Sequence, residues 1–157
     1  MNTDMLFSLS STLALAGWVC LSVSVLTGRL TFLRDIIARL FIPFVFAGLY
    51  TAIIAGFFMD ATGGFGSLSE VAALFESREM LLAGWIHYLA FDLFVGAYLA
   101  KRGAREGMPR LVMLPVLGAT FLFGPAGFLA YFALLPLFRR SGIRTYTTAG
   151  TSEIRHV

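Results

Sequence analysis

The sequence is poor in charged side chains, which make up only 13% of its 157 residues. Soluble domains average about 25% charged and about 45 to 50% apolar residues. This chain is instead 58% hydrophobic, with a mean hydropathy of +0.82. It has too little polar surface for a soluble domain, so the scarcity of charge predicts an integral membrane protein.

Side chains that bind metals or carry redox chemistry are also scarce. The chain has one cysteine, Cys20, and two histidines, His87 and His156, which lie far apart in the sequence. A metal site usually draws on a His-rich or Cys-rich cluster, so we predict none. A haem could take His87 as one axial ligand, but a second would have to come from a methionine or another chain. The sequence therefore indicates no particular cofactor.

A phosphate-binding loop is missing as well. The Gly-rich stretch 60–67 lacks the Lys and Ser/Thr that complete such a loop, and it follows no strand. In the stretch Leu68 to Ser77 that comes next, apolar residues recur every three to four positions. This spacing predicts a short amphipathic helix in the membrane interface. Such a helix either only joins two spans or also caps a cavity that opens at that face.

Long apolar runs are what the sequence has in abundance. A transmembrane helix needs about 20 apolar residues, and four runs qualify: 5–28, 40–59, 80–100 and 111–138. Only the third contains a histidine or an acidic residue, namely His87 and Asp92. We predict an all-α protein, a polytopic membrane four-helix bundle formed by residues 1–140, with a polar C-terminal tail at 141–157.

The last apolar run is longer than one upright span requires. Its 28 uncharged residues would extend about 42 Å as a straight helix, against a hydrocarbon core of about 30 Å. Gly124 and Pro125 interrupt it, and both residues favour a break in a helix. We expect a span kinked at Gly124-Pro125. The alternative is a segment that bends back, so that the tail faces the cytoplasm.

The net charge of +3 and the pI near 9.4 do not indicate nucleic acid, because the basic residues flank the apolar runs. The first and third connections are basic, whereas the second carries mainly acidic residues. By the positive-inside rule, the first and third connections are cytoplasmic. Four spans would then place the arginines of the tail outside, which conflicts with the same rule.

Asp92 is the costliest residue in the third run, because an ionised Asp at the bilayer centre costs at least about 2.5 to 3.5 kcal/mol. Trp85, Tyr88, Asp92 and Gly96 are spaced three to four residues apart and share one helix face. His87 lies about 140° away, so we expect it to face a different neighbouring helix. Asp92 is either protonated or paired with another span, through a Ser or Thr of the first helix or through Arg39.

The Asp92 and His87 side chains admit two interpretations. Intramembrane His and Asp often tie helices together by hydrogen bonds. A costly ionisable residue inside a membrane is, however, a functional-site hypothesis by default. We therefore take both as candidate catalytic residues.

Two motifs resemble those of the abscisic-acid-deficient-four-like family of small membrane proteins. They are the runs 84–96 (GWIHYLAFDLFVG) and 123–131 (FGPAGFLAY), and the similarity extends over about residues 5–138. Plant members of that family act in xanthophyll metabolism in plastid membranes and are needed to form neoxanthin and 9-cis-violaxanthin. The resemblance implies trans-to-cis isomerisation of a carotenoid. Members are expected to carry an arginine after the last Gly of the first motif, where this chain has Ala97.

The resemblance and the residues together give the following predicted site. Asp92 or His87 acts as an acid that protonates a double bond of a polyene. The substrate-binding residues are Trp85, Tyr88, Gly96, Gly124, Pro125 and Tyr131.

A non-catalytic carotenoid-binding or scaffold subunit for another enzyme is the alternative function. A small transporter that uses Asp92 as a proton relay is less favoured, because the chain is short and shows no internal repeat. The expected partners are membrane lipid, a carotenoid or other apolar polyene, and other carotenoid enzymes, with no nucleic acid. The sequence starts without an Arg- and Ser-rich transit peptide, so we expect a bacterial inner membrane.

Overall fold

A computed structural model describes residues 2–138, and every regular element in that range is helical. The α-helices are α1 (Thr3–Thr27), α2 (Ile42–Phe57), α3 (Leu68–Glu76), α4 (Arg78–Glu106), α5 (Arg110–Phe123) and α6 (Pro125–Phe138). A π-helix (Leu33–Phe41) leads into α2, and a 3-10 turn (Phe58–Asp60) follows it. The all-α prediction is confirmed. The predicted boundary at residue 140, the tail 141–157 and His156 lie outside the described residues.

Three helical segments are long and apolar enough to cross a membrane. They are Thr3–Thr27, Leu33–Asp60 and Arg78–Glu106, with 25, 28 and 29 residues. At a rise of about 1.5 Å per residue, each is longer than the hydrocarbon core of about 30 Å. The prediction of a membrane protein is confirmed for these three spans.

The last apolar run differs from the kinked fourth span that we predicted. It forms two helices of 14 residues each, α5 and α6, separated by Gly124. Gly124 has a φ of 38°, a left-handed backbone angle that glycine adopts without steric cost. Each helix is only about 21 Å long at 1.5 Å per residue, too short to cross a core of about 30 Å.

Helices α5 and α6 instead form a hairpin in which the chain bends back on itself. Next to the turn, the backbone of Gly127 packs so closely on Thr120 that a Cβ at Gly127 would overlap the Thr120 side chain and backbone. Far from the turn, Met113 of α5 and Tyr131 of α6 both lie against Gly103 of α4. The two helices therefore run antiparallel in place of one kinked span, and the predicted four-helix bundle is not confirmed.

The hairpin also removes the conflict between charge and topology. Arg110, at the start of α5, donates hydrogen bonds to the carbonyl oxygens of Leu26 and Thr27 at the end of α1, at 3.2 and 3.3 Å. Further along α6, Phe132 lies under the guanidinium of Arg102, 5.0 Å from ring centroid to Cζ. Both ends of the hairpin are therefore at the basic end of the bundle. The positive-inside rule predicts that this end is cytoplasmic.

The short helix predicted between the second and third spans is present as α3. Ser67 caps it by accepting a hydrogen bond from the backbone N–H of Glu70 at 3.2 Å, an N-cap interaction that typically stabilises a helix by about 1 kcal/mol. Its Leu74 is buried in the core, whereas Leu68 is 85% exposed. Helix α3 is therefore docked on the bundle at the end opposite the basic one.

Cysteine labelling tests the hairpin. In a Cys20→Ser background, Arg105→Cys and Leu137→Cys are expected to react with a membrane-impermeant maleimide from one side of sealed vesicles, and Asp60→Cys from the other. The reason is that α5 and α6 enter and leave at the same end of the bundle. If Leu137→Cys reacted from the same side as Asp60→Cys, the last run would cross the membrane and the hairpin would be wrong.

Candidate functional site

Asp92 lies halfway along α4 and touches the tip of the α5–α6 hairpin. A Cβ built on Gly124 would lie 2.6 Å from Asp92 Oδ1, so only a residue without a side chain lets the hairpin approach this carboxyl group. Pro125, the next residue, begins α6. The break that the sequence indicated at Gly124-Pro125 is therefore the point where the hairpin meets Asp92.

The carboxyl group of Asp92 is poorly satisfied by its surroundings. Its Oδ2 is buried and has no hydrogen-bond partner within residues 2–138. Tyr88, one turn earlier on α4, interacts with the carboxyl group, but its hydroxyl donates to the carbonyl oxygens of Phe121 and Leu122 at 3.2 and 3.3 Å. These carbonyls end α5 and have no partner inside that helix. Tyr88 thus fastens the hairpin to α4 beside Asp92.

Aromatic side chains form the walls around Asp92. The Trp85 indole stacks on Tyr88 with ring centroids 5.5 Å apart and donates a hydrogen bond from Nε1 to Ser11 Oγ at 3.0 Å. Trp18 of α1 meets Phe121 of α5 edge-on, with ring centroids 5.4 Å apart. A cavity of about 310 Å³ lies among these side chains and Asp92. It lies between α1, α4 and the end of α5.

Gly96 contributes to this cavity by leaving room for an aromatic ring. A Cβ at Gly96 would lie 2.5 Å from Trp18 Cη2, so Trp18 occupies the space that a larger residue would take. Gly96 was predicted as a substrate-binding residue. The structure gives it the role of positioning Trp18 in the wall.

Two further cavities along α1 share wall residues with the central one. The first, of about 290 Å³, reaches from Trp85 to Thr3 and Arg78. The second, of about 320 Å³, shares Leu15, Trp18 and Phe121 with the central cavity and ends at Leu26. We call the three together the α1 trough. The 23 helical steps from Thr3 to Leu26 correspond to about 35 Å at 1.5 Å per residue.

His87 lies in a different cavity. It stacks on Phe91, with ring centroids 4.6 Å apart, and lies 5.6 Å from the ring of Tyr50. The groove of about 490 Å³ around it runs between α2 and α4 and includes no residue that lines the α1 trough. His87 and Asp92 therefore face different neighbours, as their spacing along the helix indicated.

Tyr131 is also remote from Asp92. It is fully buried, packs against Gly103 near the basic end and meets Phe132 edge-on. The structure therefore brings together Trp85, Tyr88, Asp92, Gly124 and Pro125 of the predicted set, with Gly96 one turn away. It does not bring His87 or Tyr131 to them.

Of the residues that α1 and α5 contribute to the wall of the central cavity, none was predicted as a site residue: Ser11, Ala14, Leu15, Trp18, Phe121 and Leu122. Nothing in their local sequence marks them. Within the described part of the chain, no three His, Cys, Asp or Glu side chains come close enough to hold a metal ion. The groove around His87 contains no methionine or second histidine that could complete a haem site.

These features define a class: a membrane protein with three spans and a helical hairpin whose tip meets an intramembrane carboxyl group. The model of the family described as ABA DEFICIENT 4-like matches residues 5–131, and the chain belongs to this family. The family is associated with carotenoid and xanthophyll metabolism, including that of neoxanthin. No curated protein and no solved structure matches the chain. The family is associated with plants, so the expected bacterial inner membrane receives no support.

Proposed function

We propose that the protein binds an extended carotenoid in the α1 trough and isomerises it from trans to cis, with Asp92 as the acid. The observation that carries this proposal is the position of Asp92. Its carboxyl group lines the central of three adjoining cavities and touches the tip of the hairpin at Gly124.

The dimensions and chemistry of the trough suit a polyene. A carotenoid is a rigid, apolar molecule comparable in length to the bilayer thickness, and the trough extends about 35 Å along α1. Its walls are mainly apolar and aromatic, with charged side chains only at the Asp4 and Arg78 entrance and at Asp92. Ser11 and Ser22 add small hydroxyls. A polar end group of a xanthophyll can reach the entrance while the polyene passes Asp92.

The chemistry requires one proton and no other reactant. The protonated Asp92 carboxyl transfers its proton to one carbon of a double bond, which forms a C–H bond and leaves a carboxylate and an allylic carbocation. The former double bond is now single, so it rotates. Asp92 then takes a proton back from the same carbon, which restores the double bond in the cis form and the carboxylic acid.

Two features of the site support this role. Asp92 Oδ2 has no hydrogen-bond partner within residues 2–138, and a buried carboxyl group in that state favours its neutral, proton-bearing form because ionisation would leave an unpaired charge. Trp85, Tyr88 and Trp18 present ring faces and edges to the cavity. Cation–π attraction is worth about 0.5 to 2 kcal/mol per contact, so these rings can stabilise the carbocation.

Reconstitution tests the proposal. The purified protein is placed in liposomes with an all-trans carotenoid, and the isomers are followed by chromatography. We expect a cis isomer to accumulate with the protein and not in protein-free liposomes of the same composition. If the cis isomer accumulated equally in liposomes with and without the protein, the protein alone would not be an isomerase.

A carotenoid-presenting subunit for a separate enzyme is the second candidate. It is favoured by the open side of the trough, where Phe7 and Leu15 are 46% and 53% exposed, so that another membrane enzyme could reach a bound pigment laterally. Coexpression separates the two functions. An accessory subunit would produce no cis isomer alone but would raise the product yield of its partner enzyme.

A further inference from the structure

A second polar cavity lies at the basic end of the bundle, well away from Asp92. It has a volume of about 480 Å³ between the π-helix and the last turns of α4. Its walls are formed by Arg39, Tyr98, Lys101, Arg102, Arg105 and Glu106. Four cationic side chains thus face one carboxylate, which gives the cavity a strong excess of positive charge.

Two of these four cations are already neutralised. Lys101 Nζ lies 3.4 Å from Asp35 Oδ1, and Arg102 Nε donates to Glu106 Oε1 at 2.7 Å. Arg39 and Arg105 form no ion pair within residues 2–138. The positive charge that remains in the cavity is therefore carried by two guanidinium groups from different elements.

Arg39 shows most directly that an acceptor belongs in this cavity. Its Nε is buried and has no hydrogen-bond partner in the described part of the chain. A buried donor without a partner is destabilising, and such groups are rare in folded proteins. The residue is held in place by the π-helix Leu33–Phe41, a form of helix that is rare and is often found at functional sites.

We propose that this cavity binds the phosphoryl group of an anionic lipid from the cytoplasmic leaflet. Guanidinium groups pair with phosphate oxygens in a fixed, bidentate geometry. The cavity lies between two membrane-spanning segments at their basic end, which is the depth of the lipid headgroups. Basic pockets at this position are known to receive anionic headgroups. Arg39 and Arg105 bind the phosphate, and the Tyr98 hydroxyl can donate a hydrogen bond to a headgroup oxygen.

Native mass spectrometry of the full chain in detergent tests this proposal. The probes are dioleoylphosphatidylglycerol, dioleoylphosphatidylcholine and inorganic phosphate. We expect the phosphatidylglycerol to be retained in preference to the phosphatidylcholine. Arg39→Gln and Arg105→Gln should each weaken its binding about tenfold, since a hydrogen bond to a charged group contributes about that factor. Arg39→Lys should retain part of the affinity.

Arg29→Gln is the matched control, because Arg29 is exposed at the same end of the bundle and does not line the cavity. It removes the same charge and should change the affinity less than twofold. If Arg29→Gln and Arg39→Gln lost the same affinity for phosphatidylglycerol, the binding would depend only on surface charge, and the proposal would be overturned. Displacement of the lipid by millimolar inorganic phosphate would overturn the lipid as the source, and failure of phosphate to compete would support it.

Discussion

Asp92→Asn is expected to lower the rate of trans-to-cis conversion by at least about 100-fold, since general acid catalysis contributes about 10² to 10⁴. Asparagine preserves the size and most of the hydrogen-bonding capacity of the side chain, but its amide cannot supply the proton. The hairpin tip at Gly124 should still fit against it, because the contact depends on the missing Cβ of the glycine. The initial rate of cis-isomer formation in liposomes measures the effect.

His87→Gln is the matched control for this experiment. It replaces the other ionisable side chain of the same apolar stretch, and that side chain lies in the separate groove between α2 and α4. Conversion should stay within about twofold of the wild-type rate, because His87 does not line the cavity that contains Asp92. A general disturbance of α4 would instead slow both variants. If His87→Gln lost activity and Asp92→Asn kept it, the acid would be His87 and the assignment to the α1 trough would be wrong.

Gly127→Ala is expected to destabilise the protein by about 3 kcal/mol or more, at the upper end of the cost of overpacking. The added methyl group would overlap both the side chain and the backbone of Thr120. Thr120 is itself fully buried, so it has no free space into which it can move. Helices α5 and α6 must then separate next to the turn. Thermal unfolding in detergent should show a lower midpoint.

Gly118→Ala provides the comparison within the same hairpin. Gly118 lies inside α5, and a Cβ there would meet no atom within 4 Å apart from the nearby backbone of its own helix. Alanine favours a helix by up to about 1 kcal/mol over glycine, so this variant should be as stable as the wild type or more so. Similar losses in both variants would show that the close contact between α5 and α6 is not what limits stability.

The three spans were predictable because each appears as one apolar run with polar residues at both ends. The hairpin was not, since residues 111–138 have the same composition whether the segment kinks or bends back. Its geometry depends on contacts between residues far apart in the sequence, such as Met113 and Tyr131 against Gly103. The arginines of the tail were the one sequence feature that favoured a bent-back segment, because they conflict with four spans.

The site was predictable only along one helix. The spacing of Trp85, Tyr88 and Asp92 placed them on one face, because residues three and four apart are neighbours on a helix. Trp18 and Phe121 come from other helices, and their positions depend on how those helices pack. Tyr131 shares a motif with Gly124 and Pro125 but lies two turns further along α6. Closeness in the sequence therefore did not imply closeness in the site.

The position of the hairpin at the end of the described chain has a consequence for biosynthesis. The three spans precede it, and Asp92 is made before the residues that close its cavity. Since both ends of the hairpin lie at the same, basic end of the bundle, neither end has to be translocated across the bilayer. Asp92 therefore gains its contact with Gly124 only after the third span has been synthesised, when the hairpin packs onto α4.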